Sequence, residues 1–355
     1  MSHPAIYIAI TSHGFGHAVR AATVAEKLRQ LRPDITLIFV TVAPKWLLQS
    51  YVKGDFIYRQ RVFDVGVVQS DSLTMDKKST LHKMQDIIEK GDTIIAEEAE
   101  YIRHNNVRLI LADIPALAAP IARAAGIPCW MMSNLGWDLI YRDWGDDFAE
   151  IVTWLENYYS QSDRLFRLPL SESMTAFPNV TETGLTGASP CSEELKTKFS
   201  LSAPQAKTIL LTFGGLGLQA TPYSNVRHFP DWQFITFDRH APVLPNLVKV
   251  TDNALRPLDF MPLCDRVFSK PGYSTFSEAL CCDLPIVTIT RQGFAEAEVL
   301  LNSIQDYSFH QIISPEEFFE GNWSFLHQDL TPPRKTEKLP KDGATKIAQE
   351  ISNLV

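Results

Sequence analysis

Two histidines and two glycines follow the first apolar segment of the chain. Residues 10 to 20 read ITSHGFGHAVR, directly after the run AIYIAI. Histidine exchanges a proton near neutral pH, and glycine lets a ligand approach the backbone closely. A loop between a parallel strand and a helix is where open α/β sheets bind ligands, and helix amides attract anions. Gly14, Gly16 and His17 are therefore candidates for binding a phosphate or a sugar hydroxyl.

This loop does not match two common phosphate-binding motifs. No G-K-[ST] follows it, so it is not a Walker loop, and the third glycine of G-x-G-x-x-G is absent. We interpret His13, the other histidine, as a residue that shapes the loop, with phosphate binding as the alternative.

A carboxylate that could orient His17 ends another predicted strand. Asp113 closes the run VRLILAD. Parallel strands present their carboxyl ends at one rim of the sheet, so we expect Asp113 and His17 to meet there. An Asp–His pair fixes the imidazole tautomer and stabilises the imidazolium, which would make His17 a general base. The alternative is that each residue only caps a helix.

A second glycine-containing turn lies about 260 positions later, in SKPGYSTFSEALCCDLPIVTIT. Gly272 makes a tight turn after a predicted strand, and Ser274 and Thr275 stand at a helix start, where hydroxyls and amides hold a diphosphate. Glu278, one turn further, is placed to accept hydrogen bonds from ribose hydroxyls. The alternative for Thr275 and Glu278 is a capping box.

The elements that must position these residues alternate between strands and helices, which predicts an α/β fold of parallel βαβ units. Helical patterns cover about residues 18–31 and, as one long stretch, about 80–104. A segment rich in Pro, Ser, Thr and Gly, 168–205, is interpreted as a crossing between two lobes. We predict two Rossmann-like domains that face a central cleft, an N-terminal acceptor domain at 1–165 and a C-terminal donor domain at 180–335, followed by a helix at 342–355.

Composition restricts the class of protein. The chain has 355 residues, 45% hydrophobic, with a net charge of −8. Its basic residues are scattered, so nucleic-acid binding is not expected. Five cysteines without a C-x-x-C pair indicate free thiols in the cytosol. No run has the length of a signal peptide or a membrane span. For KWLLQSY, contact with a membrane surface is an alternative to a buried helix face.

The segment FSKPGYSTFSEAL with LPIVTI resembles the donor-nucleotide segment of GT-B glycosyltransferases, including the MurG-like and UDP-glycosyltransferase groups. A closer likeness is to the glycosyltransferase-like N-terminal region of plant L-arabinokinases. It rests on HGFGHAVR, VQSDSLTMD, NLGWDLIY, FGG, SKPGYSTFSEAL and FAEAEVLLN, and it extends from about residue 5 to 323.

The resemblance implies a GT-B fold and a role for each matching residue. His17 matches the usual base of inverting members. The resemblance implies donor-binding roles for Gly214, Gly215, Gly272, Ser274, Thr275 and Glu278. Phe260 and Met261 are added because they lie in LRPLDFMPLCDRVF, which looks like the segment whose backbone contacts the base. Gly14 and Gly16 are assigned to the donor from the loop itself. The implied co-substrate is a UDP-sugar. No Asp-x-Asp occurs, so we expect neither a metal clamp nor a further cofactor.

The sequence departs from the family in two places. Where many members carry Asp-Gln before an Asn, this chain has Glu296 and Glu298 before Asn302, so these carboxylates are assigned to the donor sugar and its identity stays open. Arabinokinases also continue into a GHMP-type kinase domain, and GGLGLQ lacks the serines of that domain's phosphate loop. We therefore do not expect sugar-kinase activity.

Candidate acceptor residues lie in two further motifs. Asp71 in VQSDSLTMD, and Trp137 with Asp138 in NLGWDLIY, are assigned to the acceptor, because aromatic rings stack on sugars and carboxylates accept their hydroxyls. The alternative for Trp137 is a place in the core.

The expected activity is transfer of a hexosyl or N-acetylhexosaminyl group from a nucleotide sugar to an acceptor hydroxyl, without metal and with inversion. Two alternatives remain open, a nucleotide-sugar 2-epimerase and a non-catalytic nucleotide-sugar sensor.

Overall fold

A computed structural model describes residues 3–70, 73–191, 194–215, 217–218 and 220–355. Within them, two parallel sheets of seven and six strands are each covered by helices. The strands are β1 Ala5–Ile10, β2 Thr36–Val40, β3 Ile57–Arg59, β4 Val107–Asp113, β5 Cys129–Ser133, β6 Arg164–Arg167, β7 Val180–Glu182, β8 Thr208–Thr212, β9 Gln233–Thr236, β10 Leu247–Lys249, β11 Arg266–Ser269, β12 Ile286–Ile289 and β13 His310–Ile313.

The α-helices alternate with these strands. They are α1 Gly16–Leu31, α2 Lys45–Tyr51, α3 Lys77–Glu89, α4 Gly91–His104, α5 Ala118–Ala125, α6 Trp137–Arg142, α7 Ala149–Tyr159, α8 Leu195–Lys198, α9 Pro257–Phe260, α10 Tyr273–Cys281, α11 Ala295–Tyr307, α12 Pro315–Phe319 and α13 Gly343–Leu354. Short 3-10 helices lie at Asp146–Phe148, Gln205–Lys207, Tyr223–His228, Met261–Leu263 and Ser324–His327.

The strand order of each sheet reverses once, and this reversal defines where a ligand can bind. The first sheet runs β3-β2-β1-β4-β5-β6-β7 and the second β10-β9-β8-β11-β12-β13. In such sheets the crevice opens at the carboxyl ends of the strands that flank the reversal. Those strands are β1 with β4 and β8 with β11. The two glycine-containing turns found in the sequence follow β1 and β11.

Strand composition explains why these runs form parallel sheets. All six residues of β1 are buried, because helices cover both faces of the sheet and each side chain enters one of the two layers. The register of β1 with β4 pairs Ile10 with Asp113. The last residue of β4 therefore stands beside the start of the loop that carries His17.

The last helix of the chain packs against the first domain. The C-terminal helix α13 lies along α1, and Ile347 and Ile351 are fully buried in the same core as Ala21 and Leu28. The outer residue Leu354 is 46% exposed. The chain thus crosses between its two sheets twice.

The predicted architecture of two parallel Rossmann-like sheets is confirmed, and local details differ. The helical stretch predicted at 80–104 is two helices, α3 and α4, that meet at Lys90. The crossing segment contributes β7 to the first sheet. Edge strands β3, β7 and β10 have three residues each, too short for a periodic pattern.

In the described part of the chain, no helix is long and apolar enough to cross a membrane. The described side chains also include no cluster of three His, Cys, Asp or Glu residues placed to hold a metal ion.

Candidate active site

Two helix N-termini meet at the crevice. Helix α1 begins after Phe15 and α10 begins after Gly272, and neither N-cap residue accepts a side-chain hydrogen bond from the first turn. The Ser274 hydroxyl donates to the carbonyl oxygen of Gly16 at 2.7 Å, so the two helix starts are in direct contact. First-turn amides carry partial positive charge, and both sets face the same space.

A small cavity of about 100 Å³ lies between these helix starts. Residues from both domains line it, among them His13, Gly14, Gly16, His17, Arg20, Gly214, Gly215, Lys270, Gly272, Ser274, Thr275, Arg291 and Glu296. Eight of the predicted donor-binding or catalytic positions and one predicted sugar-binding carboxylate, Glu296, therefore share one cavity.

One wall of the small cavity is a buried network around His17. The His17 Nδ1 atom lies 2.8 Å from Asp113 Oδ1. Arg20 contacts both Asp113 oxygens through Nε and Nη2, and Asp113 is fully buried. Burial alone would raise the pKa of Asp113, but Arg20 and His17 together lower it below its ordinary value. Asp113 is therefore ionised, and the remaining His17 nitrogen, Nε2, is the one available to a ligand.

The other wall carries positive charge at the start of α10. Lys270 directly follows β11, with its ammonium 3.4 Å from the point where a Cβ on Gly272 would stand. Burial, and then the nearby Arg291, lower the pKa of Lys270 to about 8. The His13 ring faces the same charges, and burial followed by His17 and Lys270 lowers its pKa well below the usual value. A bound anion would relieve this crowding of positive charge.

A large cavity of about 450 Å³ adjoins the small one and shares Gly16, Ser274 and Thr275 with it. Glu278 lines its inner end and accepts a hydrogen bond from the Tyr51 hydroxyl at 2.9 Å. The Arg256 guanidinium lies 4.9 Å from the Tyr51 ring centroid. Burial raises the pKa of Glu278 to about 7, although the Tyr51 hydrogen bond and Arg256 oppose the rise. The apolar lining includes Phe15, Trp46, Phe237, Leu255 and Pro257.

Close packing explains why one loop glycine cannot carry a side chain. A Cβ on Gly215 would overlap the Phe15 ring, which crosses from the first domain. Gly214 beside it has φ +80°, a left-handed conformation that favours glycine. The loop after β8 can therefore approach α1 closely enough to close one side of both cavities.

The remaining predicted residues lie elsewhere. Phe260 and Met261 are buried in the core and line neither cavity, and the adjacent Leu255 and Pro257 line the large cavity instead. Glu298 points to solvent from α11. Asp71 lies outside the described residues.

The two predicted acceptor residues of α6 also do not line the cavities. Trp137 is buried, and its ring nitrogen donates to Asp64 at 3.0 Å, with the ring 5.7 Å from that of His17. The Trp137 ring therefore packs against the His17 ring without lining either cavity. Asp138 is buried beside Arg142, and burial, with the nearby Glu172, raises its pKa to about 6.

The position at which α10 starts tests whether Thr275 and Glu278 form a capping box. The helix begins at Tyr273, so Thr275 lies inside the first turn, and the Glu278 carboxylate is directed at Tyr51. Thr275 and Glu278 do not cap this helix.

Sequence reasoning missed several residues of the site. Arg20 is three residues after His17, a spacing that places both on one helix face, and this signal was present in the sequence. Lys270 directly precedes the Pro-Gly turn at a strand end. Tyr51 and Asn134 had no local signal, because their partners Glu278 and Glu296 lie in the other domain.

Comparison of the sequence with known proteins finds a plant relative. No protein-family model matches the chain. It is 27% identical over 329 residues to L-arabinokinase of Arabidopsis thaliana, covering 89% of this chain and 31% of that protein. The chain thus spans about a third of the length of this relative.

Solved structures with similar folds include two plant proteins at 12 to 13% identity. A UDP-glucosyltransferase from Polygonum tinctorium, capable of glucosylating indoxyl, has a TM-score of 0.65 with 99% of this chain and 98% of that chain covered. UGT2 of Phytolacca americana, complexed with UDP-2-fluoro-glucose and pterostilbene, has a TM-score of 0.63 with 100% and 94% covered. The chain has the GT-B fold.

Proposed function

We propose that the chain is a glycosyltransferase that moves a sugar from a nucleotide sugar, with UDP as the leaving group, to an acceptor hydroxyl. The observation that carries this proposal is that His17 and the start of α10 line one small cavity, with a second cavity of about 450 Å³ beside it. The solved structures of the same fold that hold UDP-sugars support the choice of nucleotide.

The donor nucleotide would occupy the large cavity. Its base would lie among the apolar side chains near Leu255, and its ribose would lie at Glu278. Glu296, which lines the small cavity, would lie near the sugar. Its diphosphate would reach the first turn of α10, where amides and the Lys270 ammonium offset the negative charge. The sugar would then stand in the small cavity, between this wall and His17.

The proposed chemistry is general-base catalysis followed by departure of the diphosphate. His17 Nε2 removes the acceptor proton while the acceptor oxygen bonds to the anomeric carbon, and the bond from that carbon to the diphosphate breaks. With the base on α1 and the leaving diphosphate at the start of α10, we propose that attack comes from the face opposite the diphosphate and inverts the anomeric centre. Hexosyl or N-acetylhexosaminyl transfer remains our assignment, and Glu296 is the candidate ligand of the sugar hydroxyls.

In the proposed site, groups of the chain offset the negative charge of UDP without a metal. Amides at the start of α10, Lys270 and Arg291 line the cavity in which the charge develops. We also propose a cytosolic location, which the five free thiols support.

A thermal-shift screen against UDP, UMP, GDP, UDP-glucose and UDP-N-acetylglucosamine tests the donor assignment. A nucleotide at 100 times its Kd stabilises the fold by about 2.7 kcal/mol, which raises the melting temperature by several degrees. Stabilisation by the uridine diphosphates, together with UDP release in the presence of a panel of phenols and sugars, is the expected result. An unchanged melting temperature with all five compounds would contradict the proposal.

Two other outcomes separate the alternative functions. Conversion of UDP-N-acetylglucosamine to its 2-epimer in the absence of an acceptor, followed by NMR, would identify an epimerase. Strong stabilisation by a nucleotide sugar without transfer or hydrolysis would identify a sensor.

A further inference from the structure

The carboxylate of Glu296 is held by a side chain of the opposite domain. Glu296 lies in the first turn of α11, in the second domain, and lines the small cavity. Its Oε1 atom accepts a hydrogen bond from Asn134 Nδ2 at 2.8 Å, and Asn134 directly follows β5 of the first domain. Among the described residues, this is the one hydrogen bond of the Glu296 carboxylate. The position of that carboxylate in the cavity therefore depends on a residue across the cleft.

Two partners of opposite kind fix the orientation of the Asn134 side chain. Its Oδ1 atom accepts from Arg20 Nη1, and its Nδ2 atom donates to Glu296. A guanidinium only donates and an ionised carboxylate only accepts, so an amide can bridge them in one orientation. Asn134 is buried, and Arg20 is itself bonded to Asp113. The first domain thus holds the amide in place and directs its donor at Glu296.

The segment that precedes Glu296 also packs on the first domain. The carbonyl oxygen of Gly293 accepts from the Trp144 ring nitrogen at 3.0 Å. Phe294 is buried among the side chains of the first domain, and its ring stacks on that of His13 with the centroids 6.0 Å apart. The first domain therefore positions the start of α11, and with it the carboxylate assigned to the donor sugar.

We infer that Asn134 determines how the donor sugar is recognised, by holding Glu296 with one oxygen available to a sugar hydroxyl. Because Oε1 is bonded to Asn134, Oε2 is the atom that can accept from the sugar. Hydrogen bonds to an ionised acceptor are about twice as strong as those between neutral groups. Asn134 is a positioning residue that acts through Glu296, and its role in sugar recognition rests on the proposed function.

This arrangement makes recognition of the sugar depend on both domains. The bond joins residues 162 positions apart, one in each domain, so it forms when the domains stand as they do in this structure. UDP has no sugar and does not use the Glu296 carboxylate. A nucleotide sugar should therefore be sensitive to the loss of the Asn134 bond, and UDP should not.

The test compares the affinities of the full chain for UDP, UDP-glucose and UDP-N-acetylglucosamine by calorimetry. Asn134→Asp keeps the side-chain length and an acceptor for Arg20, but places a second carboxylate against Glu296. UDP affinity should stay within about twofold, and affinity for the UDP-sugar that the wild type binds best should fall about tenfold or more, the size of a lost hydrogen bond to a charged group.

The matched control is Asn225→Asp. The Asn225 side chain is also buried, and its Nδ2 atom donates to Gly321 O at 2.8 Å within the second domain. Asn225 lines neither cavity. This variant should leave the ratio of the two affinities unchanged.

A double variant separates action through Glu296 from a general change of structure. Glu296→Gln should by itself lower affinity for the UDP-sugar relative to UDP, because the charged acceptor is lost. Since both substitutions remove the same interaction, their effects should not add when Asn134→Asp and Glu296→Gln are combined. Additive losses, or equal loss of UDP and UDP-sugar affinity in Asn134→Asp, would overturn the inference.

Further outcomes separate this inference from the proposed function. Where Asn134→Asp does not fold by circular dichroism, Asn134→Ala removes the same amide donor and should give the same selective loss. A wild type that binds none of the three uridine nucleotides would refute both the proposed function and the inference. A wild type that binds UDP and a UDP-sugar, with a ratio of affinities unchanged in the Asn134 variants, would refute the inference alone.

Discussion

The two walls of the cleft hold their charges in different ways. On the first wall Asp113, Arg20 and His17 are almost fully buried and bonded to one another. On the second wall Glu278 accepts its hydrogen bond from Tyr51 of the opposite domain, and Lys270 makes only a long contact of 3.4 Å with Pro271 O among the described residues. The charges of the first wall are therefore balanced without a ligand. Those of the second wall depend on the other domain or on a ligand for their partners.

This difference separates the effects of substitution. Charges balanced inside one domain contribute to its folding, so their loss should destabilise the chain. Substitution of polar groups that lack a partner within their own domain should change ligand affinity and pH dependence more than the free energy of unfolding. The pKa shifts agree with this division, because that of Asp113 is lowered while that of Glu278 is raised and that of Lys270 is lowered.

The largest effect is expected from Asp113→Asn. It leaves the Arg20 cation buried without a counter-charge, which costs about 3 to 5 kcal/mol in comparable buried pairs. Urea unfolding followed by circular dichroism measures the loss. Glu182→Gln, which breaks the exposed pair with Arg167, is the control and should change stability by less than about 1 kcal/mol. Equal losses in the two variants would remove the distinction between the walls.

The second prediction concerns pH. Glu278 has a higher pKa in the folded chain, about 7, than the ordinary 4.5 of the unfolded chain. The stabilisation this gives is fully present below about pH 4.5 and is lost as pH rises through about 7. Each pKa unit corresponds to about 1.4 kcal/mol, so the difference in unfolding free energy between the wild type and Glu278→Gln should change by up to about 3 kcal/mol over this range. A difference that stays constant with pH would contradict the assignment.

The third prediction tests the positive charge of the second wall. Lys270→Met should weaken UDP binding by about tenfold or more, since a hydrogen bond to a charged group contributes about 1.5 to 3 kcal/mol. Uridine, which lacks phosphates, should bind both proteins alike. Calorimetry gives both affinities, and Lys270→Arg, which keeps the charge, is the matched control.

Lys270 should also make the affinity for UDP depend on pH. Because the pKa of Lys270 is lowered to about 8, wild-type affinity for UDP should fall as pH rises through that value, and the affinity of Lys270→Met should not. Equal loss of uridine and UDP binding in Lys270→Met would show that the residue has only a structural role.

The smallest effect is expected from Tyr51→Phe. It removes the hydrogen bond that lowers the pKa of Glu278, so the pH at which stability is lost should move upward, with about 1 kcal/mol lost at neutral pH. Tyr58→Phe breaks a bond of the same kind to Ala43 O within the first domain and should leave that pH unchanged. A shift in both variants, or in neither, would show that Tyr51 and Glu278 are not coupled.

The sequence predicted those parts of the site that depend on strand ends. Glycine-containing turns after β1 and β11, and a carboxylate at the end of β4, follow from local patterns and from the rule for parallel sheets. Their meeting in one cavity follows from the fold. Phe260 and Met261 were assigned through resemblance, but their apolar side chains belong to the core and leave only the neighbouring backbone near the cavity.

Two contacts between distant segments could not be predicted from local patterns. The bonds of Tyr51 to Glu278 and of Ser133 to Arg20 join residues more than 100 positions apart. Tyrosine and serine side chains of this kind carry no periodic signal, and their role depends on how helices pack over two sheets. The short edge strands were missed for a similar reason, because three residues cannot establish an alternation.

The most direct test of the central claim compares wild type and His17→Ala in two assays on the same protein. UDP affinity by calorimetry should be nearly equal, because the nucleotide is held by the second wall. Release of UDP from the donor sugar in the presence of acceptor should fall by 10² to 10⁴-fold, because the base is lost. Unchanged UDP release in His17→Ala, with the fold intact, would contradict the account.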